Sequence, residues 1–215
     1  MERYKMRLLP EELRLYAVTD RRWLAGRTLY DAVREAIDGG ATLVQLREKD
    51  LDPEAFREEA GEIRDLCASR GIHLLINDNV MLAKEVNADG VHLGQDDMDP
   101  AEARKLLGAD KIIGVTAKTV EQAVRAENAG ADYLGVGAVF PTESKKDAKR
   151  ITMEQLLTIT RAVSIPCVAI GGITEQNAEE LRGSGVSGIA VVSALFAQRN
   201  IRVAAKKLRR IADGI

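Results

Sequence analysis

Aromatic residues make up only 4% of this 215-residue chain, with a single tryptophan. An interior built without large rings is filled by Val, Ile, Leu and Ala, as parallel strands covered on both faces require, and the apolar fraction of 46% is enough for such a core. Cysteine is scarce as well. Cys67 and Cys167 stand far apart in apolar helix and strand contexts, which excludes a disulfide framework and makes both of them reduced, buried packing residues. A long apolar run is missing from the first dozen residues, which carry Glu2, Arg3, Lys5, Arg7, Glu11 and Glu12. Neither a signal peptide nor a membrane span is expected there, and the expected location is cytoplasmic. Charge of one sign is also lacking: a net charge of -2 with 30% charged residues leaves no basic face for nucleic acid.

What is present is regular alternation. Runs rich in Val, Ile and Leu recur at Leu15 to Asp20, Leu43 to Glu48, His73 to Asp78, Gly90 to Gln95, Ile112 to Ala117, Tyr133 to Phe140, Cys167 to Gly172 and Gly188 to Ala194. Helical patterns lie between these eight expected strands. In Glu54 to Ser69 the apolar Phe56, Ala60, Ile63 and Cys67 repeat at three and four, as a helix packed on one face demands. Asp52-Pro53 and Asp99-Pro100 read as helix starts, with an acceptor at the N-cap and proline at the first helical position. Thr119 with Gln122 and Thr152 with Gln155 read as capping boxes. Gly39-Gly40, Asn87-Ala88-Asp89-Gly90, Ala129-Gly130 and Gly183-Ser184-Gly185 each stop a helix before an apolar run, for which glycine in a left-handed C-cap is the expected device.

Eight such units close naturally into a (β/α)₈ TIM barrel, one α/β domain over residues 1–215 with 1–12 as an N-terminal extension. The competing layout, an open doubly wound sheet, lacks its Gly-x-Gly-x-x-Gly turn after the first strand.

In a TIM barrel the chemistry sits at the carboxyl ends of the strands. The second strand closes with Gln45, Arg47 and Lys49, which share one alternating face if the strand stays extended. Asn77-Asp78 and Gln95-Asp96-Asp97 end the next two, so Asp78 and Asp97 could meet at the mouth. They suit the sparse carboxylate set that Mg²⁺ takes beside water and phosphate oxygens, or serve as loop caps. After the sixth strand, Pro141-Thr142-Glu143-Ser144-Lys145-Lys146-Asp147 offers hydroxyls and ammonium groups to a phosphate. Gly171-Gly172 and Val192-Ser193 stand where backbone amides at helix starts would face an anion. His73 and His92 have no Cys or Asp at metal-ligand spacing, so neither reads as a zinc ligand, and His73 reads as structural. No Gly-x-Ser-x-Gly elbow offers a hydrolytic nucleophile.

Taken together and in order, Gln45-Leu46-Arg47-Glu48-Lys49, Asn77-Asp78, His92-Leu93-Gly94-Gln95-Asp96-Asp97, the Pro141 to Asp147 loop, Ile170-Gly171-Gly172-Ile173 and Val192-Ser193 resemble the thiamine phosphate synthase family, from about Leu15 to Phe196. The resemblance implies a transferase of thiamine biosynthesis, which condenses a pyrimidine diphosphate with a thiazole phosphate through Mg²⁺-assisted, dissociative loss of pyrophosphate. It implies that Gln45, Arg47, Lys49, Asn77, Thr116 and Lys145 hold the pyrimidine diphosphate, with Arg47, Lys49, Lys145 and Thr116 acting in catalysis. By the same resemblance Thr142, Ser144, Gly172, Val192 and Ser193 hold the thiazole phosphate, and Asp78 and Asp97 hold Mg²⁺. Two positions depart from the family pattern: Thr116 stands where serine is frequent, and Ser144 where threonine is common. The expected partners are small molecules, with neither nucleic acid nor membrane; a homo-oligomer is left open. A thiazole tautomerase on the same scaffold, which needs no diphosphate site, and a non-catalytic phosphate-binding regulator stand as alternatives.

Overall fold

Eight parallel strands close into a barrel in chain order, with β1 paired to both β2 and β8. The structure is a computed structural model that describes residues 8–142 and 150–215. Its strands are β1 (Leu15–Val18), β2 (Leu43–Leu46), β3 (His73–Asn77), β4 (Gly90–Leu93), β5 (Ile112–Ala117), β6 (Tyr133–Gly137), β7 (Cys167–Ile170) and β8 (Gly188–Val191). The helices are α1 (Leu29–Asp38), α2 (Pro53–Ser69), α3 (Val80–Glu85), α4 (Pro100–Leu107), α5 (Val120–Asn128), α6 (Met153–Ala162), α7 (Ser193–Phe196) and α8 (Ile201–Ala212). None of them, among the described residues, is long and apolar enough to cross a membrane.

Each expected strand is present, but all except β5 stop short: β6 ends at Gly137 rather than Phe140, and β8 at Val191 rather than Ala194. The polar residues that close each run leave the ladder and turn over the barrel mouth. Asp78, the last residue of the third run, already has a left-handed φ of 62°.

The period-two alternation of the strands divides their side chains between two cores. One parity, including Ala17, Val44, Leu74 and Ile76, packs outward against the helices. The other parity fills the lumen with Tyr16, Leu43, Leu75, Ile112, Tyr133 and Val168, joined by Leu8 and Leu13 from the segment preceding β1. Tyr133 fits because its neighbour on β5 is Gly114, where a Cβ would lie 2.1 Å from the tyrosine Cζ. Both cysteines are buried and unbridged, and burial pushes their thiols up to about 12.

Helix starts follow the capping chemistry. Asp52 accepts from the amides of Glu54 and Ala55, Asp99 from Ala101 and Glu102, and Thr152 with Gln155 forms a complete capping box, each worth about 1 kcal/mol. At α5 the Thr119 hydroxyl accepts from Gln122 N, but the Gln122 side chain reaches Lys118 N instead of the N-cap amide, so the box is shifted by one residue.

The helix stops need two corrections. Gly40 and Gly130 have the expected positive φ, but in the third unit Asn87 takes the left-handed position. Gly90 is a strand residue, needed because a Cβ would fall 1.9 Å from Ile112 O. The segment before Gly183 is a single 3₁₀ turn, Ala178–Leu181, rather than a full helix.

The amino-terminal rim repeats one device. The residue before an even-numbered strand caps the odd-numbered strand preceding it: Thr42 Oγ1 accepts from Leu15 N at 3.0 Å, Asp89 Oδ2 from Leu74 N at 2.8 Å, and Asp132 Oδ2 from Ile113 N at 2.8 Å. These amides would otherwise lack a ladder partner. Arg104 pairs with Asp132 at 2.6 Å, and His73 lies 3.4 Å from Asp89 and 3.2 Å from Glu12. The hydrogen bond to Asp89 holds the His73 pKa above its ordinary value, outweighing burial, with Glu12 adding to the effect.

A histidine raised in this way stabilises the fold fully below its unfolded pKa of about 6.5, and the contribution is lost as pH rises through the folded value. A His73→Gln variant should therefore lose more stability against the parent at about pH 5.5 than at about pH 9, read from urea midpoints. Equal losses at both pH values would show that His73 is not charged in the fold.

Candidate functional site

Where the strands stop, the chain turns over a cavity of about 570 Å³ at the carboxyl end of the barrel. Gln45, Arg47, Lys49, Asn77, Asp78, Asp97, Thr116, Thr142, Gly172, Val192 and Ser193 all line it. Ser144 and Lys145 lie outside the described residues.

The second strand ends at Leu46, yet its alternation persists because the residue after β1 clamps it. Thr19 N donates to Gln45 O at 3.0 Å, Arg47 N donates to Thr19 Oγ1 at 2.9 Å, and Thr19 Oγ1 donates to Arg47 O at 3.2 Å. Gln45, Arg47 and Lys49 thus reach the cavity, while Glu48 is held by Arg21 at 2.7 Å. Burial opposes charge on Glu48, but the Asp50 amide, Arg21 and the Lys49 amide outweigh it and lower its pKa. Behind Arg47 lies Asp20, 3% exposed, whose carboxylate is 3.9 Å from Arg47 Nη1 and 2.6 Å from Arg22 Nη2. Burial resists ionisation of Asp20 too, and the hydrogen bonds from Arg22 overcome it. The cation at Arg47 is therefore braced from behind.

The carboxylates are treated differently. Lys49 Nζ donates to Asp78 Oδ2 at 2.9 Å, Asn77 Nδ2 donates to Asp78 Oδ1, and Gly94 N donates to Asp97 Oδ2 at 2.6 Å. The Asp97 carboxyl, though exposed, nevertheless sits above its ordinary pKa, first through desolvation by the surrounding cavity wall and then because the Asp78 carboxylate stands beside it. Two adjacent carboxylates form a hard-oxygen donor set of the kind Mg²⁺ takes, with water or phosphate completing the shell. Among the described residues no group of three or more His, Cys, Asp or Glu is placed to hold a metal; Asp78 and Asp97 are the pair that could contribute oxygens to one here.

On the facing side, Phe140 N donates to Gly171 O and Val139 N to Ile170 O, drawing the segment after β6 against the end of β7. A Cβ at Gly172, where φ is 67°, would fall 2.2 Å from Pro141 O, so only glycine permits this approach. The expected helix starts need correction. After Gly172 the chain forms a turn in which Thr174 N donates to Asn177 Oδ1 and Asn177 Nδ2 to Gly172 O. After β8 the helix α7 is only four residues long, and a helix that short carries little dipole.

Several cavity residues carry no role in the sequence reading: Asp20, Trp23, His92, Gln95 and Lys118. His92 was set aside for want of ligand spacing, yet the alternation along β4 places it on the lumen face. Its ring is bonded to Tyr133 Oη at 2.7 Å and Thr116 Oγ1 at 2.9 Å. Trp23 has a buried Nε1 with no hydrogen-bond partner among the described residues, a feature no local pattern announces.

Residues 15–195 match the family described as thiamine monophosphate synthase. The chain is 48% identical over 197 residues to a thiamine-phosphate synthase of Ruminiclostridium cellulolyticum, covering 92% of this chain and 94% of that protein. It is 49% identical over 194 residues to the thiamine-phosphate synthase of Clostridium tetani, covering 90% and 93%. Among solved structures, a thiamine phosphate pyrophosphorylase from Pyrococcus furiosus is similar with a TM-score of 0.88 at 41% identity, covering 96% of this chain and 98% of that one.

Because Trp23 is the sole tryptophan and faces the cavity, its fluorescence is a site-specific probe. Titration with inorganic pyrophosphate should change its emission in a saturable way. An unchanged spectrum while calorimetry registers binding would place the anion elsewhere.

Proposed function

Since the chain belongs to the thiamine monophosphate synthase family, we propose that its cavity joins an aminopyrimidine methyl diphosphate to a thiazole phosphate, forming thiamine phosphate and releasing pyrophosphate. The observation that carries this function is that Arg47, Lys49, Asp78 and Asp97 line the same cavity as Gly172, Val192 and Ser193. A diphosphate and a second phosphate can then be held across one shared space.

Gln45, Asn77 and Thr116 hold the pyrimidine diphosphate together with Arg47, Lys49 and Lys145, the last assigned from the family pattern alone. Thr142, Ser144, Gly172, Val192 and Ser193 hold the thiazole phosphate. Mg²⁺ fits Asp78 and Asp97, and when bound it supplies Lewis-acid neutralisation of diphosphate oxygens.

The carbon–oxygen bond to the diphosphate breaks first, leaving a pyrimidine methylene cation whose carbon the thiazole nitrogen then captures. The bonding pair departs with pyrophosphate, the nitrogen lone pair forms the new bond, and no proton need move. Arg47, Lys49 and Lys145 act on the leaving group, where negative charge grows toward the transition state, so they lower the barrier more than they tighten ground-state binding. The phosphate contacts around Gly172 and Ser193 keep the thiazole nitrogen in register and make capture effectively unimolecular. Small-molecule chemistry in the cytoplasm accords with a surface of mixed charge and a net charge of -2.

The deciding experiment mixes both heterocycles with Mg²⁺ and the protein and looks for thiamine phosphate by mass spectrometry alongside released pyrophosphate. Thiazole isomerisation without pyrophosphate would indicate a tautomerase, and binding without product a regulator. Lys145→Ala should lower kcat by about 10²-fold or more, and near-normal turnover at saturation would remove Lys145 from the leaving-group site. The double variant Asp78→Asn with Asp97→Asn should abolish the Mg²⁺ dependence of the rate; an unchanged dependence would place the ion elsewhere.

A further inference from the structure

Beneath the cavity, Gln45 on β2 and Thr116 on β5 are joined by a continuous run of hydrogen bonds through the lumen. Gln45 Nε2 donates to Tyr16 Oη at 2.6 Å, Tyr16 Oη meets Tyr133 Oη at 2.8 Å, Tyr133 Oη meets His92 Nδ1 at 2.7 Å, and His92 Nε2 meets Thr116 Oγ1 at 2.9 Å. Tyr16 comes from β1 and Tyr133 from β6, strands that do not pair, so the run crosses the barrel rather than following its wall.

Burial gives the run a direction. Tyr16 is 1% exposed and Tyr133 0%, and a buried hydroxyl hydrogen without an acceptor is costly. Tyr16 accepts from Gln45, so its own hydrogen goes to Tyr133. Tyr133 then gives its hydrogen to His92 Nδ1. An accepting Nδ1 fixes the neutral ring with its proton on Nε2, which donates to Thr116 Oγ1. At the two ends, Gln45 Oε1 takes no hydrogen bond among the described residues and the Thr116 hydroxyl hydrogen is unspent in this run; both side chains line the cavity.

Reversing either end requires the amide to flip, both phenols to rotate and the imidazole to change tautomer together. Packing opposes such slack. The Tyr16 and Tyr133 rings meet edge to face with centroids 6.0 Å apart, and a Cβ at Gly135 would lie 3.0 Å from His92 Cε1. Burial holds both phenols well above their ordinary pKa, so each keeps its hydrogen.

We propose that Tyr16, Tyr133 and His92 are positioning residues that lock Gln45 as a hydrogen-bond acceptor and Thr116 as a donor, so that the site selects an aminopyrimidine over its oxo analogue. The exocyclic amine donates where Gln45 accepts, and a ring nitrogen accepts where Thr116 donates. The oxo analogue presents an acceptor in place of the amine and meets a mismatched edge. This rests on the cavity being the pyrimidine site, as proposed above.

Two measurements on the full chain test it. In ¹⁵N-labelled protein there are only two histidines to resolve, and His73→Gln identifies the second. His92 should show a protonated Nε2 and an unprotonated Nδ1; a proton on Nδ1, or on both nitrogens, overturns the lock without any appeal to turnover. Calorimetry should show the amino diphosphate bound at least about ten-fold more tightly than the oxo diphosphate. In Tyr133→Phe that preference should largely vanish while thiazole phosphate affinity stays unchanged. A preference that is absent in the parent, or preserved in the variant, overturns the proposal. If Tyr133→Phe does not fold, the parent's tautomer and preference decide. Failure to form thiamine phosphate would count against the proposed reaction, and neither of these measurements depends on it.

Discussion

Closure of the sheet is the constraint on which everything else depends. Eight short parallel strands with no free edge oblige each strand to give one parity of its side chains to the helices and the other to the lumen. Because the lumen parity runs on to the carboxyl end, the residues that continue it there, Gln45, Arg47, Asn77 and Thr116, are delivered to one cavity from three different strands. Convergence of groups distant in sequence follows from closure, and no loop needs to fold back to achieve it. The chain has few large rings, yet two of its four tyrosines stand in the lumen, where their hydroxyls carry polarity from wall to wall.

Rigidity at the barrel mouth comes from backbone devices as much as from side chains. The Thr19 clamp extends the pairing of β1 with β2 after the ladder has ended, which preserves the alternation of Gln45, Arg47 and Lys49. The approach of Gly172 to Pro141 fastens the facing side. Asp78 adopts a left-handed backbone although it is not glycine, a conformation of the kind that collects at functional sites when surrounding contacts over-determine it. Here those contacts are Asn77 and Lys49.

Sequence alone made the barrel and most of the cavity lining legible because both depend on local order. Polar residues that close an apolar run mark the carboxyl end, and Asp52-Pro53 or Thr152 with Gln155 mark a helix start without knowledge of the tertiary fold. What escaped depends on partners distant in sequence. Gly90 looks like a helix stop next to Asn87, but its necessity lies in Ile112 of the neighbouring strand. His92 has no informative sequence neighbour; its partners Tyr133 and Thr116 arrive from other strands. The short 3₁₀ turn at Ala178–Leu181 was read as a full helix because a glycine stop looks the same after one turn as after four. For Ser144 and Lys145, outside the described residues, their place rests on the family pattern.

The two rims of the barrel treat carboxylates in opposite ways. At the amino-terminal rim, Asp132 meets both Arg104 and a strand amide, and Asp89 meets His73 and a strand amide. Burial opposes charge on Asp89, but His73 and the Leu74 amide outweigh it and its pKa falls. Such groups have spent their capacity on the fold, and a ligand could gain little from them. At the carboxyl rim the exposed Asp97 carboxyl is raised, by desolvation at the cavity wall and by Asp78, with one backbone amide and a share of Lys49 as compensation. An exposed carboxylate with a single backbone partner keeps oxygen lone pairs open on the cavity side. The same residue type is therefore fully engaged by the fold at one end and left partly open at the other, and the difference lies in how many partners the fold allots it.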